Sequence, residues 1–384
     1  MFRTIVKARR GSNPLAFGKQ QFSTAPDAPL ARLKGSLKQL PKQADMVQSL
    51  RELRTSPIYG ELMNWTKKQY EVIPKSGDVH DDPRVRNVAG GHALCYALNS
   101  VVHLANGYDL NLTDRIAATD NDPEAAERAF LSQIRPAHAE ALVKAFRESW
   151  RANSELRQAA ILSALQPGVA EKLGLTITER HTRLAQAWGT ISASQQLTLG
   201  ELLALVDYVN SATGTFNAVN GTALAAAYYG EPVLQKMTAT LSATLDSAIQ
   251  KLCRHPYFGR QEITTYKGIL LSDEAGVFRK AMLNAAVGSG KLIPFPNVLS
   301  ATANPNKSYA ATKDSLGYSI ELQITMCTAF YADPFHDTLT MGEDEVIGPR
   351  GQKFIVTEKL ATEVFSERRE RFEWIDRYVL KPKN

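Results

Sequence analysis

The chain has 384 residues, of which 44% are hydrophobic and 22% are charged. This composition excludes a chain that is disordered throughout and leaves room for more than one domain with a sizeable core. The net charge of +6 lies at the N-terminus, because residues 1 to 43 hold nine Lys or Arg and one acidic residue, whereas the remainder holds 36 basic and 38 acidic residues. We therefore predict no nucleic-acid partner for the body of the chain.

The three cysteines, Cys95, Cys253 and Cys327, are far apart and form no Cys-x-x-Cys spacing. The sequence thus predicts neither a disulfide framework nor a cysteine-rich zinc site, and we expect no metal. No stretch approaches the roughly 18 consecutive apolar residues that a membrane helix needs. We accordingly expect no membrane span.

Residues 1 to 55 are predicted to be a disordered basic leader. This segment has no acidic residue before Asp27 and lacks the apolar core of a secretory signal peptide. Three interpretations stay open: an organelle transit peptide, a leader read by a bacterial export machine, and a plain disordered tail.

Residues 56 to 195 are predicted to form a helical domain. Apolar residues recur at spacings of three and four, with Pro136 as a break and Pro167-Gly168 as a stop. The segment from 78 to 91 is predicted to be an exposed connector that ends in Gly-Gly and opens the next helix. That interpretation puts Cys95 in the first turn of a helix, where the helix dipole favours a thiolate.

Residues 196 to 384 are predicted to change from helices to strands at Pro256, where a long amphipathic helix ends. Five segments read as strands: "EITTYKGILL", "NVLSAT", "YSIELQITM", "EVIGPRGQKFIV" and "RFEWIDRYVL". In the third strand Ile320, Leu322, Ile324 and Met326 alternate with polar residues. Helices followed by strands indicate an α+β fold.

Near the C-terminus, Glu343 and Glu345 precede an apolar run in "MGEDEVIGPRGQKFIV". On an extended backbone they would share a face, with Asp344 on the other. Two carboxylates on one face repel each other unless water, a cation or a substrate lies between them. A solvated strand edge and a functional pair both stay open on this pattern alone.

Four features occur in one order: "DYVNSATGTFNAVN", "LDSAIQKL…EITTYKGILL", "FPNVLSATANPNKSYA" and "GEDEVIGPRGQKFIV". Over roughly residues 197 to 357 the chain resembles the arginine-specific, R-S-E type mono-ADP-ribosyltransferases, which include bacterial toxins and type III effectors. The resemblance implies a split, mixed β-core with helices and NAD as a substrate in the cleft between two small sheets, preceded here by the all-helical domain.

By this resemblance, Glu345 corresponds to the catalytic glutamate and Glu343 to the one that marks arginine acceptors. Ser300 corresponds to the serine whose hydroxyl helps to position the catalytic glutamate, and Thr302 to the third residue of the Ser-Thr-Ser motif. Ala301 departs from that motif. An NAD-cleaving reaction passes through an oxocarbenium-like state, which a carboxylate at the ribose stabilises.

The strand "TTYKGILL" departs from the family at Lys267, which stands where the family has an arginine that contacts NAD. Lysine keeps the positive charge but loses the planar, two-pronged donor geometry of arginine. Gly268, beside it, would let the backbone approach the dinucleotide closely.

The segment from 328 to 340, with Phe330, Tyr331 and Phe335, lies where the family places the loop that meets the protein acceptor. These aromatics are interpreted either as part of that surface or as core residues under a long loop.

We therefore expect a secreted effector or toxin that acts inside a host cell and transfers ADP-ribose from NAD to arginine of a host protein, with a secretion chaperone as a possible partner of the helical domain. One alternative is a catalytically degenerate binding module, because Lys267 replaces the arginine. The other is a papain-like protease with Cys95 as nucleophile, which would need a histidine. The histidines considered for that role are His138, His181, His255 and His336.

Overall fold

The computed structural model describes residues 28–38, 46–72, 83–110, 122–189, 191–210, 213–230, 232–270, 274–308, 319–336, 342–366 and 371–383. Residues 1 to 27, about half of the predicted leader, lie outside these ranges. No helix in the described ranges has the length and apolar character required to cross a membrane.

Helices dominate the first two thirds of the chain. The α-helices are α1 (Ala28–Lys38), α2 (Met46–Thr55), α3 (Pro57–Val72), α4 (Pro83–Leu104), α5 (Pro123–Gln133), α6 (Pro136–Ala152), α7 (Glu155–Ala164), α8 (Val169–Lys172), α9 (Glu179–Gln186), α10 (Leu199–Val209), α11 (Thr215–Tyr229), α12 (Val233–Met237), α13 (Ala239–Cys253) and α14 (Glu274–Ala286).

A local signal explains where α10 begins. At α10 the hydroxyl of Thr198 accepts a hydrogen bond from the Glu201 backbone N–H at 3.2 Å, and the Glu201 carboxylate accepts one from the Thr198 N–H at 2.8 Å. This reciprocal cap satisfies two backbone donors that a helix start leaves unpaired. The ammonium group of Lys251 on α13 lies 2.7 Å from the same carboxylate, so the cap also joins two helices.

In the part of the chain that the structure describes, seven strands follow. They are β1 (Gly259–Leu270), β2 (Leu292–Phe295), β3 (Leu299–Thr302), β4 (Ser319–Tyr331), β5 (Glu345–Gly348), β6 (Gln352–Ser366) and β7 (Arg371–Pro382). All five predicted strand segments are therefore present, and "EVIGPRGQKFIV" divides into β5 and β6. Strand β2, in "KLIPF", was not predicted.

The sheet divides at β4. Along one edge β4 pairs with β1 from Gly259 to Leu270 in antiparallel register. Along its other edge β4 pairs first with β7, in parallel, and near its end with β5, in antiparallel register. One branch continues through β6 to β2, and the other continues from β5 to β3. The predicted α+β fold with a split, mixed β-core after a helical region is confirmed.

Two hydrophobic clusters stabilise the molecule. The larger runs from Leu30 on α1 through the helices to Ile347 on β5, and the smaller lies within the sheet and includes Ile320, Leu322, Ile324 and Met326, the four residues predicted to share one face. Because the larger cluster contains residues from both sides of position 195, helices before and after that position pack together. The division into domains at 195/196 stays a prediction.

The prediction of disorder up to residue 55 is wrong for two segments of the described chain. Residues Ala28–Lys38 and Met46–Thr55 are helices α1 and α2. Their leucines and valine recur at helical spacing and join the larger cluster: Leu30, Leu33, Leu37, Val47, Leu50 and Leu53. Burial of this apolar face stabilises helices that a count of basic residues did not reveal.

Candidate active site

The carboxylate of Glu345 lies at the centre of the candidate site. Glu345 is the first residue of β5, and its side chain is 14% exposed. The hydroxyl of Ser300 on β3 donates a short hydrogen bond to Oε1, and Nε2 of His336 lies 2.5 Å from Oε2. Both oxygens of the carboxylate are thus bound by side chains that come from other segments.

Charge and hydrogen bonding favour the ionised form of this carboxylate. Burial by itself raises the pKa of Glu345, but the hydrogen bond and charge of His336, the hydrogen bond from Ser300 and the charge of Lys267 outweigh it and lower the pKa below its usual value. At neutral pH Glu345 is therefore an anion, the state required to stabilise a cationic transition state.

Lys267 on β1 lies beside Ser300. Its ammonium group donates to the backbone oxygen of Ser300 at 2.8 Å. Burial, reinforced by the charge of Arg279 and opposed by that of Glu345, lowers the pKa of Lys267 to about 8. The predicted NAD-contacting cation is therefore next to the Ser300–Glu345 pair, but its charge is weakly favoured.

The tight turn from Asp333 to His336 positions the backbone of Glu345. Asp333 is fully buried, and its carboxylate accepts hydrogen bonds from the N–H of Glu345 at 2.8 Å, the N–H of Asp344 at 3.2 Å and the hydroxyl of Tyr331 at 2.9 Å. Just after the last residue of α6, the side-chain amide of Asn153 donates to the Pro334 backbone oxygen at 3.0 Å. The turn is thus fastened to both the helices and the start of β5.

The prediction that Glu343 and Glu345 share one face of a strand is wrong. β5 begins only at Glu345, and Asp344 has φ +53° while Gly342 has φ +94°. These left-handed conformations turn the chain, so the two-residue alternation of a strand does not apply. Glu343 is exposed, two residues before Glu345, whose side chain is only 14% exposed.

The other two predicted contact residues lie close by. Thr302 is 8% exposed, and its hydroxyl donates to the Glu343 oxygen at 2.9 Å and accepts from the Asn304 N–H at 3.0 Å. Thr302 therefore stabilises the second turn, from 342 to 344, which carries Glu343. Gly268 pairs with Glu321 in the β1–β4 ladder. A role in NAD binding stays a prediction for both.

A cleft of about 530 Å³ adjoins the site. Its lining includes Asp344 and Val346, the residues on either side of Glu345 in the sequence. Asp344 forms an ion pair with Lys307 at 2.8 Å, and the hydrogen bond from Lys307, against the opposing effect of burial, lowers the pKa of Asp344. This side of the turn thus carries a second anion, already neutralised by a lysine.

The aromatic segment resolves into two parts. Phe330 and Phe335 are fully buried in the larger cluster, so they are core residues. Tyr331 is half-buried and lines the cleft, where the guanidinium groups of Arg157 and Arg260 each lie 5.8 Å from its ring centre. Only Tyr331 of the three is placed to contact a ligand.

The placement of Cys95 excludes the protease interpretation. Helix α4 begins at Pro83, so Cys95 lies in its middle rather than in the first turn. The thiol is 2% exposed, and burial raises its pKa to about 12. A protonated, buried thiol is a poor nucleophile. The connector predicted for residues 78 to 91 is helical from Pro83 onward.

Sequence reasoning missed the two residues that organise the site most directly, Asp333 and His336. His336 had been considered only as a partner for Cys95. The single available signal was the order Asp-Pro-Phe-His before the Glu-x-Glu, since Asp before Pro commonly starts a turn. Among the described residues no cluster of three or more His, Cys, Asp or Glu is arranged to bind a metal ion.

Comparisons with known proteins give structural similarity without sequence relatives. No family model and no curated protein matches the chain. The chain is similar to the ADP-ribosyltransferase HopU1 of Pseudomonas syringae pv. Tomato DC3000, with a TM-score of 0.38, 15% identity, and coverage of 60% of this chain and 98% of that one.

Two further solved structures are similar at the same level. Plx2a, an ADP-ribosyltransferase toxin from Paenibacillus larvae, has a TM-score of 0.33 and 16% identity, covering 49% of this chain and 88% of that one. The type III effector XopAI from Xanthomonas axonopodis pv. citri has a TM-score of 0.33 and 14% identity, covering 65% and 92%. The interpretation of the site therefore rests on the contacts made by this chain's own residues.

Proposed function

We propose that this protein is an NAD-dependent mono-ADP-ribosyltransferase that modifies arginine side chains of a host protein. The observation that carries the proposal is the Glu345 carboxylate, which is ionised and bound on one oxygen by Ser300 and on the other by His336. Such a carboxylate, fixed before substrate arrives, suits a reaction in which positive charge develops on a sugar.

The proposed reaction has two bond changes. The bond between the ribose anomeric carbon and the nicotinamide nitrogen breaks, and nicotinamide leaves as a neutral molecule with the bonding electron pair. Glu345 stabilises the positive charge that develops on the ribose. A guanidino nitrogen of the acceptor then bonds to the anomeric carbon and loses one proton, for which Glu343 is the proposed acceptor.

The residues around Glu345 fit NAD in part. Lys267 supplies a cation for the pyrophosphate, and its position beside Ser300 places that charge next to the reacting carboxylate. The exposed position of Glu343 fits a contact with a protein substrate arriving from solvent. Secretion and action inside a host cell belong to this proposal through the sequence resemblance alone.

One observation favours a second candidate function. The ammonium group of Lys267 already binds the Ser300 oxygen at 2.8 Å, and burial lowers its pKa. A lysine so engaged is a weaker ligand for phosphate than the arginine it replaces. The second candidate is therefore a degenerate transferase domain that binds a partner without turnover.

The experiment follows transfer of labelled ADP-ribose from NAD to proteins of eukaryotic lysates. The parent is compared with Glu345→Gln and with Glu358→Gln, a matched change at an exposed glutamate on β6. We expect label with the parent and Glu358→Gln, none with Glu345→Gln, and release of the label by neutral hydroxylamine. Absence of label with the parent, together with activity in Lys267→Arg, would establish the degenerate module instead.

A further inference from the structure

His336 is a buried histidine whose ring meets the candidate catalytic carboxylate. Its side chain is 1% exposed, and Nε2 lies 2.5 Å from Oε2 of Glu345. Its backbone N–H donates to the Asp333 oxygen at 3.1 Å, which closes the turn. The neighbouring Phe335 packs against Phe258, with ring centres 5.1 Å apart. The imidazole is thus fixed by core packing before any substrate is present.

We propose that His336 is a positioning residue that fixes the orientation of the Glu345 carboxylate for NAD cleavage. This inference rests on the proposed function. Ser300 binds one oxygen of the carboxylate and His336 binds the other, so the plane of the group is set from two sides. The terminal torsion of a glutamate is broad and roughly two-fold, so a single hydrogen bond leaves it free to rotate.

The chemistry of the pair requires a proton on Nε2. Because a carboxylate anion is only an acceptor, the imidazole must donate, either as the Nε2–H tautomer or as the imidazolium. The charged and titratable groups that face this pair are Lys267 on β1, Asp333 in the turn and Tyr208 on α10, and the neutral hydroxyl of Ser300 on β3 completes the polar surroundings. His336 is the member that contacts the carboxylate on the side opposite Ser300.

Kinetics of two variants separate positioning from mere packing. His336→Gln retains a side-chain N–H donor, whereas His336→Leu removes it. We expect His336→Leu to lower kcat for NAD cleavage about 100-fold, as expected for misplacing a catalytic group by ~1 Å, with little change in the Kd for NAD. We expect His336→Gln to recover at least about a tenth of the parent rate, because the donor is restored.

A matched control is His181→Gln on α9, another buried histidine, whose ring accepts from the Thr178 N–H at 3.2 Å. It should leave kcat unchanged. Equal rates for His336→Leu and the parent would overturn the proposal. So would a His336→Gln protein that unfolds at the parent's temperature yet is as slow as His336→Leu.

A second readout does not depend on activity. In protein with 15N-labelled histidine, a proton on Nε2 bonded to a buried carboxylate should give a downfield, slowly exchanging signal, assigned by its absence in His336→Gln. The signal should disappear or shift strongly in Glu345→Ala and stay in place in Glu358→Gln. A signal that is unaffected by Glu345→Ala would overturn the pairing, whether or not His336→Leu folds.

The two failures are distinguishable. A parent that cleaves no NAD, with the histidine signal present and dependent on Glu345, overturns the proposed function and with it the catalytic purpose of the pair, while establishing the contact. A parent that cleaves NAD at a rate insensitive to His336→Leu overturns only the role of His336.

Discussion

The turn from 342 to 344 and the start of β5 at Glu345 are adjacent in sequence and opposite in character. In the turn, Gly342 and Asp344 have left-handed backbone conformations and Glu343 is exposed. At the start of the strand, the backbone of Glu345 is bound by a buried aspartate and its carboxylate by a serine and a histidine. The carboxylate of Glu345 is thus held by two side chains of the site, whereas Glu343 is exposed.

This difference assigns the two carboxylates different work within the proposed reaction. A group that stabilises charge on NAD benefits from a fixed position, because no reorganisation is then needed as the charge develops. A group that receives an arginine from a large protein must be reachable from outside. The turn separates these requirements within two residues.

The largest expected effect comes from removing the carboxylate that joins the two regions. Asp333→Ala leaves the N–H groups of Asp344 and Glu345 and the hydroxyl of Tyr331 without their acceptor. We expect the free energy of unfolding, measured in urea, to fall by about 3 kcal/mol, because removing a charged acceptor leaves its donors without a hydrogen-bond partner. NAD cleavage should fall with it.

Asp333→Asn is the matched variant, because it keeps the volume and one acceptor oxygen. It should lose less stability than Asp333→Ala. A loss below about 0.5 kcal/mol in both variants, which is the usual range for surface substitutions, would show that the turn from 342 to 344 and the start of β5 do not depend on the Asp333 carboxylate.

A selective effect is expected at Glu343. In Glu343→Gln we expect transfer to arginine to fall about 100-fold, the scale of a lost proton acceptor, while hydrolysis of NAD to free ADP-ribose stays within about twofold of the parent. The readout is label on protein measured beside nicotinamide release. The control is Asp344→Asn, whose parent carboxylate is paired with Lys307 and faces the cleft. Equal loss of transfer and of hydrolysis in Glu343→Gln would show that Glu343 acts in NAD cleavage as Glu345 does. That result would contradict the proposed difference between the two carboxylates.

The smallest expected effect concerns pH and Lys267. Its pKa is lowered by burial to about 8, so the side chain is charged below that pH and neutral above it. If the charge binds pyrophosphate, NAD affinity should weaken about tenfold, ~1.4 kcal/mol, as pH rises from 7 to 9.5. Calorimetry in a Glu345→Gln background, which prevents turnover, measures this. Lys267→Arg should bind NAD with no such dependence, because arginine stays charged; a flat profile for the parent would remove Lys267 from the binding site.

Short-range patterns in the sequence predicted much of this arrangement. The alternation in "SIELQITM" identified β4 and its buried face. The family resemblance, rather than any local pattern, assigned Lys267, Ser300 and Glu345 to one site, and their side chains do lie together. The wrong prediction, that Glu343 and Glu345 share one face of a strand, also came from a local pattern. Strand alternation was extended to Glu343 because nothing in "GEDEV" indicates that a non-glycine residue, Asp344, adopts a positive φ.

The contributions of Asp333 and His336 were beyond such patterns for a different reason. Both act across a gap of about ten residues, through a turn whose position depends on Phe335 in the core and on Asn153 from a distant helix. Periodicity carries no information on contacts of this kind. Likewise, the burial of the leucines of α1 and α2 depends on the other helices against which they pack.

The most direct test of the account is the rate of nicotinamide release from NAD by the parent and by Glu345→Gln, measured at neutral pH without a protein acceptor. We predict measurable release by the parent and a loss of at least about 100-fold in Glu345→Gln, the scale of removing one preorganised electrostatic contact from a transition state. Equal rates in the two proteins, with both folded, would contradict the claim that the buried Glu345 carboxylate is the catalytic centre.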